Sequence, residues 1–339
     1  MGGISTVVNI YYDLGLDKKV KLKYISSMKE GSKPKKLFIA LWAYIQFCFC
    51  LRHYGIVHVH MAAQASFTRK SVFIRTAAAA RKKIIIHQHA ADFNDFYFRQ
   101  SDAVKRKKIR DVFSYADKVI VLSEEWERFF AGNVCGKEKI VILHNGVAIP
   151  DYRKTDYSDH AVLFLGRLGV RKGVYDLLRA IPEVLKHVPD AEFYLCGDGD
   201  VKQCRLIAVR EGFSDHAAFP GWVAGGQREA YLKGCSVFVL PSYHEGMPMA
   251  LLEAMSRGLA AVSTNAGGIP QIIDDGVNGY RVEAGDIRSI TDRLVGLLTD
   301  RALKKRLGEA AAETIAKRFN AVSNVDALYN LYREMDEGK

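Results

Sequence analysis

The chain has 339 residues, 49% hydrophobic and 26% charged, which suits two globular domains and excludes a disordered, low-hydrophobicity protein. Six cysteines without CxxC spacing signal neither a zinc site nor a disulfide framework, and reduced thiols are the expectation. The net charge of +11 is lopsided: residues 1–150 carry 25 Lys and Arg against 12 Asp and Glu, and the remainder 24 against 26.

The basic clusters Lys33-Pro34-Lys35-Lys36, Arg81-Lys82-Lys83 and Lys105-Arg106-Lys107-Lys108 suit an anionic membrane surface or an anionic acceptor. No aromatic-interleaved basic motif points to nucleic acid. Met1-Gly2-Gly3-Ile4-Ser5 lacks a charged n-region and a cleavage site, so a cytoplasmic protein is expected. Gly2-Gly3-Ile4-Ser5 reads as a glycine turn opening a helix, although such a turn normally follows a strand and only Met1 precedes it. The apolar run Leu37 to Leu51 is short for a membrane span and contains Gln46. It reads as a buried core helix, with an interfacial helix as the alternative. Short strands are expected at Ile56–His60, Ile84–His89, Lys118–Leu122 and Ile140–Leu143, alternating with helices near 66–80, 101–115 and 124–131. Residues 90–97 read as an aromatic loop and 150–159 as a linker.

A second strand–helix series follows, with strands at 161–165, 191–195, 236–240, 260–263 and 280–282. In doubly wound sheets, ligands bind beyond the carboxyl ends of the strands. The strand ending at Leu240 runs into Glu245-Gly246-Met247-Pro248-Met249-Ala250-Leu251-Leu252-Glu253. Pro248 suits a first helical turn and Gly258 a stop. Glu245 then lies on the turn and Glu253 about two helical turns in. The free N–H groups of Met247, Met249 and Ala250 would face an anion at the helix mouth, and the two carboxylates could grip hydroxyls. Phosphate with hydroxyls suggests a nucleotide sugar.

Arg167 and Lys172 follow the strand at 161–165 and could hold a diphosphate as its charge develops. His58, His60, His87 and His89 form two HxH pairs, each with its members on one strand face. Such pairs can hold a metal, or they can be sheet histidines with His89 reaching the substrate. Asp198-Gly199-Asp200 has the form of a metal–diphosphate DxD but reads as an N-cap and first turn. No metal is expected.

These residues resemble glycosyltransferase family 4. The resemblance is carried by Gly166-Arg167-Leu168 with Arg171-Lys172-Gly173, Cys196-Gly197-Asp198-Gly199, Phe219-Pro220-Gly221-Trp222-Val223, Pro241-Ser242 leading to Glu245 and Glu253, Gly267-Gly268-Ile269-Pro270, and Asp275-Gly276-Val277-Asn278-Gly279. Gly2-Gly3-Ile4-Ser5, His89 and Asn145-Gly146-Val147 fit more loosely. The resemblance implies an α/β protein of the GT-B fold: two doubly wound Rossmann-like domains facing across a cleft. The N-terminal domain would span 1–150 without its first strand, the nucleotide-sugar domain 151–321, and a returning C-terminal helix 322–339. It also implies a retaining, metal-independent hexosyltransferase acting on a nucleoside-diphosphate sugar, first of all a UDP-sugar, and on a glycan or lipid-linked acceptor in polysaccharide assembly.

By the same resemblance, Glu253 binds the donor ribose, Glu245 the sugar hydroxyls, and Arg167 and Lys172 the diphosphate. Backbone near Val223 meets the base, Gly246, Met247, Met249 and Ala250 line the donor, Gly3 approaches phosphate, and His89 contacts the transferred sugar or acceptor. Front-face attack assisted by the leaving phosphate needs no protein nucleophile. The family's Glu after the glycine-rich Pro is Gln271 here. A start assigned late, or a truncated first domain, would account for the missing strand. The rival readings are a nucleotide-sugar epimerase and a non-catalytic sugar-nucleotide-binding protein. Peripheral contact with the inner face of an anionic membrane is expected.

Overall fold

The computed structural model describes residues 3–28 and 31–337; Gly2, one half of the expected glycine turn, lies outside them. The chain forms two compact units, one running to His144 and resuming at Val322, the other spanning Asn145–Ala321.

The first unit contains α1 (Gly3–Asp13), α2 (Leu16–Lys19), α3 (Lys33–Leu51), β1 (Ile56–Met61), α4 (Ala65–Ala79), β2 (Lys83–Gln88), α5 (Phe93–Phe98), α6 (Ala103–Ser114), β3 (Lys118–Val121), α7 (Glu124–Asn133) and β4 (Ile140–Ile142). Its strands form a parallel sheet in the order β1-β2-β3-β4. Ile84, Ile85, Ile86, Val119, Ile120 and Val121 are buried, as continuous apolar runs covered on both faces must be.

Two expectations for this unit are corrected. Residues 93–98 form α5 rather than a loop. Phe93, Phe96 and Tyr97 have helical spacing and are buried, and Phe93 packs on Phe113 and Phe130, which outweighs the turn preference of Asn94-Asp95. Helix α3 is not a buried core helix. It buries Ala43, Phe47 and Leu51 and leaves most of its large apolar side chains exposed.

The second unit contains β5 (Ala161–Leu165), α8 (Val174–His187), β6 (Glu192–Cys196), α9 (Val201–Arg210), β7 (Ala217–Gly221), α10 (Gly225–Gly234), β8 (Val237–Leu240), α11 (Met249–Ser256), β9 (Ala260–Thr264), β10 (Tyr280–Val282), α12 (Ile287–Thr299) and α13 (Arg301–Arg318). Its parallel order is β10-β9-β8-β5-β6-β7. The chain winds outward from β5 through β6 and β7, then returns to β8 on the other side. The reversal between β5 and β8 is the topological switch point, where the following loops diverge and open a crevice.

Residues 150–159, expected as a linker, are part of this unit. The buried Tyr157 hydroxyl donates to the Gly258 carbonyl at 2.8 Å, and buried Lys154 pairs with Asp159 at 3.0 Å. These partners give the polar run a fixed place. Helix α14 (Ala321–Glu337) belongs to the first unit from Val322 onward. There Asp326 pairs with Lys19 at 2.6 Å, and the Tyr332 hydroxyl meets His58 Nδ1 at 2.6 Å.

Candidate functional site

The loops after β5 and β8 meet at the switch point. Pro248 is the N-cap of α11, with extended ψ of 113°, rather than a first-turn residue. The extended Pro248 delays the helix to Met249, so Glu253 lies little more than one turn in instead of two. Helix α11 stops as expected, with Gly258 at φ 88°. Leu252 N–H is the donor that reaches back to Pro248, so the amides of Met249 and Ala250 have no acceptor within the helix.

Glu245 is 5% exposed. Its Oε1 accepts from Lys172 Nζ at 2.5 Å and from Ser242 Oγ at 2.7 Å. Among the described residues both contacts fall on Oε1, which leaves Oε2 for another donor. Lys172 is held opposite by its own loop. The Arg171 carbonyl accepts the Tyr243 N–H at 2.9 Å, and the Arg171 guanidinium donates to the His244 carbonyl at 3.2 Å. A β-carbon at Gly173 would lie 1.9 Å from the Pro241 carbonyl oxygen, so only glycine allows this approach. From the other side, Gly268 N–H donates to the Gly246 carbonyl at 2.8 Å, and Asn145 Nδ2 donates to the Met247 carbonyl at 2.9 Å.

Gly267 has φ 57°, and a β-carbon there would lie 1.7 Å from the Glu245 carbonyl oxygen. Gly267→Ala is therefore expected to destabilise the protein by about 3 kcal/mol or more, through left-handed strain and backbone overlap. Urea denaturation followed by circular dichroism measures it, and an unchanged midpoint would contradict the close approach.

Glu253 is paired with Arg228 from α10. Burial pushes the Glu253 carboxyl above the usual carboxylate range, against the opposing pull of Arg228 and Arg257. Arg257 is committed to Glu229, with contacts of 2.7 and 3.1 Å. Arg167 is largely exposed, with Nη1 3.5 Å from Asp198 Oδ2. The loop after β5 is tied to the loop after β6 by Leu168 N–H to the Asp198 carbonyl at 2.7 Å and by Asp200 N–H to the Leu168 carbonyl at 2.9 Å. Asp200 occupies the N-cap of α9 without a side-chain capping bond; its Oδ2 accepts from the Tyr175 hydroxyl at 2.8 Å. The two DxD carboxylates thus serve separate partners. Val223 has a buried side chain, so what it can present to a ligand is backbone, while neighbouring Trp222 is 55% exposed.

Gly3 and His89 belong to the first unit. Gly3 opens α1. His89 stands in a stack with His58, His60 and His87, with ring centroids 4.1 to 5.3 Å apart. His89 Nε2 meets His60 Nδ1 at 2.9 Å, and His58 Nε2 meets His87 Nδ1 at 3.3 Å. Burial holds His58 and His89 down to about 3, and His60 and His87 well below the ordinary histidine range. One ring nitrogen each of His58, His60 and His87 lies within 4.8 Å of the others. His58 spends its nitrogens on Tyr332 and His87, whereas His87 Nε2 is buried without a partner.

The structure therefore gathers Lys172, Glu245, Gly246 and Met247 around one turn, with Arg167 on the adjoining loop. It pairs Lys172 with Glu245 directly, where sequence reasoning gave each its own ligand group. Sequence reasoning missed Arg228, Ser242 and Asn145 as supporting groups. Ser242, three residues before Glu245, was the visible signal among them. Arg228 had none, because its partner is distant in the chain.

Two family models match the chain in tandem: Glycosyltransferase Family 4 over residues 17–149 and Glycosyl transferases group 1 over residues 159–300. An uncharacterized glycosyltransferase of Methanocaldococcus jannaschii is 29% identical over 246 residues, which is 70% of this chain and 67% of that relative. The lipopolysaccharide core biosynthesis glycosyltransferase LpsE of Rhizobium meliloti is 28% identical over 238 residues, 69% of this chain and 65% of that relative. The chain thus spans about two thirds of the length of these relatives. Anabaena HepE, solved in complex with UDP and glucose, superposes with a TM-score of 0.73 at 18% identity, covering 85% of this chain and 81% of that one. With both halves matched in order, and with two parallel α/β units, the chain belongs to glycosyltransferase family 4, of the GT-B fold.

Proposed function

We propose that this protein transfers a hexose-type sugar from a nucleoside-diphosphate sugar, first of all a UDP-sugar, to a glycan or lipid-linked acceptor, with retention of anomeric configuration and without a metal. The observation that carries the reading is the Lys172–Glu245–Ser242 cluster at the switch point. It offers a cation for a diphosphate beside a carboxylate oxygen for a sugar hydroxyl. Arg167, exposed on the same loop, supplies a second cation. As the bond from C1 to the phosphate oxygen breaks, charge grows on the leaving diphosphate, and the two cations stabilise it most at that moment. The acceptor oxygen bonds to C1 on the same face, and its proton passes to the leaving phosphate oxygen. Glu245 positions the sugar.

Glu253, steadied by Arg228, takes the ribose hydroxyls. The amides of Met249 and Ala250 and the backbone of Gly246 and Met247 face the donor, and backbone at Val223 faces the base. Gly3 and His89 keep the roles the resemblance implies. The relative named for lipopolysaccharide core biosynthesis supports a glycan acceptor, and the solved neighbour with UDP and glucose supports the donor class. Neither favours an epimerase. The basic first half supports a peripheral, cytoplasmic-face location.

The test is a thermal-shift screen of UDP-, GDP- and ADP-sugars, followed by turnover with EDTA present. Stabilisation by one donor class and turnover insensitive to EDTA are expected; turnover abolished by EDTA would sink the metal-free reading. Arg228→Ala should weaken donor binding about tenfold by calorimetry, with kcat less affected, because Glu253 then lacks its positioning partner. Unchanged affinity would remove Glu253 from the donor site.

A further inference from the structure

We propose that α3 is a membrane-docking helix that lies in the interface of an anionic bilayer. Its inner face is fixed to the first unit. Phe47 packs against Phe73 of α4 with tilted rings and centroids 5.1 Å apart, and the Tyr44 hydroxyl meets Thr76 Oγ1 at 2.9 Å. Ala43, Phe47 and Leu51 belong to the buried core. Held in this way over its C-terminal half, the helix lies on the surface of its unit.

The opposite face carries Leu37, Phe38, Leu41, Trp42, Ile45 and Phe49, exposed by 37 to 72%. At 3.6 residues per turn these six fall within an arc of roughly 140°. That is a continuous apolar stripe on a helix about 28 Å long. Scattered surface hydrophobics need no explanation, but six large ones on one stripe mark a binding surface. The stripe by itself would suit a lipid surface, a second copy or a partner helix. Charge decides among them. Residues 31–54 contain no Asp or Glu, while Lys35 stands at one end of the stripe and Arg52 at the other. The first half of the chain carries 25 basic against 12 acidic residues. A stripe with cationic ends, set in a cationic half, repels its own copy and matches anionic headgroups, with Trp42 at the level where indole rings settle.

This surface is independent of the donor site, and its failure would leave the glycosyltransferase reading untouched. The test is flotation of the full chain with phosphatidylcholine vesicles, with and without phosphatidylglycerol. Wild type is expected to float with the anionic vesicles and to lose them at high salt. The triple variant Phe38→Ser, Trp42→Ser, Phe49→Ser changes exposed side chains only. It should lose at least tenfold in vesicle affinity while keeping its helical circular dichroism and its thermal shift with donor. Lys35→Ala with Arg52→Ala should lose about fivefold per cation on anionic vesicles and little on neutral ones. Absence of flotation by wild type, or equal flotation by the triple variant, overturns the proposal. So does a dimer in sedimentation that the triple variant dissolves, which would give the stripe to a second copy.

Discussion

Glu245→Ala is expected to lower turnover by about 10²-fold while donor affinity changes less. The physical ground is the pair it forms with Lys172 at 2.5 Å, in which both side chains are largely buried. Removing the carboxylate takes away the group proposed to position the sugar. It also leaves the Lys172 ammonium with its desolvation uncompensated, at a cost of roughly 3–5 kcal/mol in stability. The two losses separate in Glu245→Gln. The amide keeps the volume and can still accept from Lys172 and Ser242, so stability should recover more than turnover does. Steady-state kinetics beside urea denaturation reads both. A Gln variant with full activity would show that the negative charge has no part in the reaction.

The second large effect is acid lability of the first unit. His58, His60, His87 and His89 all have folded pKa values below the ordinary value of about 6.5, with His58 and His89 down to about 3, because burial disfavours the imidazolium. For His60, the neighbouring histidines and Lys70 add to the depression. The unfolded chain therefore binds protons that the folded unit refuses. Their stabilising contribution is complete above about pH 6.5 and is lost as pH falls toward the folded values. The loss is about 1.4 kcal/mol per histidine for each pH unit below 6.5. Neighbouring histidines supply part of the depression of His58, His60 and His87, so the four act as one coupled group whose stabilising effect falls steadily as pH drops below about 6.5. Calorimetry between pH 7 and 4.5 should show one transition moving steeply down, and His89→Asn should flatten that slope. A transition with no pH dependence would mean that the histidines take up protons in the folded unit as readily as in the unfolded chain.

The alternation of strands and helices was legible because buried parallel strands must be continuous apolar runs, as Ile84-Ile85-Ile86 and Val237-Phe238-Val239 are. The Glu245 turn was legible because a strand, a proline and a stop glycine frame it. What could not be read was pairing across the chain. Nothing local tells that Lys172 reaches Glu245 or that Arg228 reaches Glu253, since those partners are chosen by the strand order around β5 and β8. The short helix α5 was hidden because Asn94-Asp95 signals a turn locally, and only the distant Phe113 and Phe130 make helical spacing worthwhile. Helix α3 was misread for a related reason. Its apolar content is that of a core helix, and which face finds a neighbour is decided by α4.

The Lys172–Glu245 contact has a consequence for what the site can discriminate. A bare anion that approached Lys172 would draw it from Glu245 and strand a carboxylate in a buried place. A ligand that brings an anion and a hydroxyl together satisfies both halves at once, because the hydroxyl can donate to the Glu245 carboxylate that the ammonium partly gives up. The contact therefore works as a two-key lock. On the proposed function, neither free phosphate nor free sugar is expected to turn it alone, and the molecule expected to fit is the one in which the two are joined.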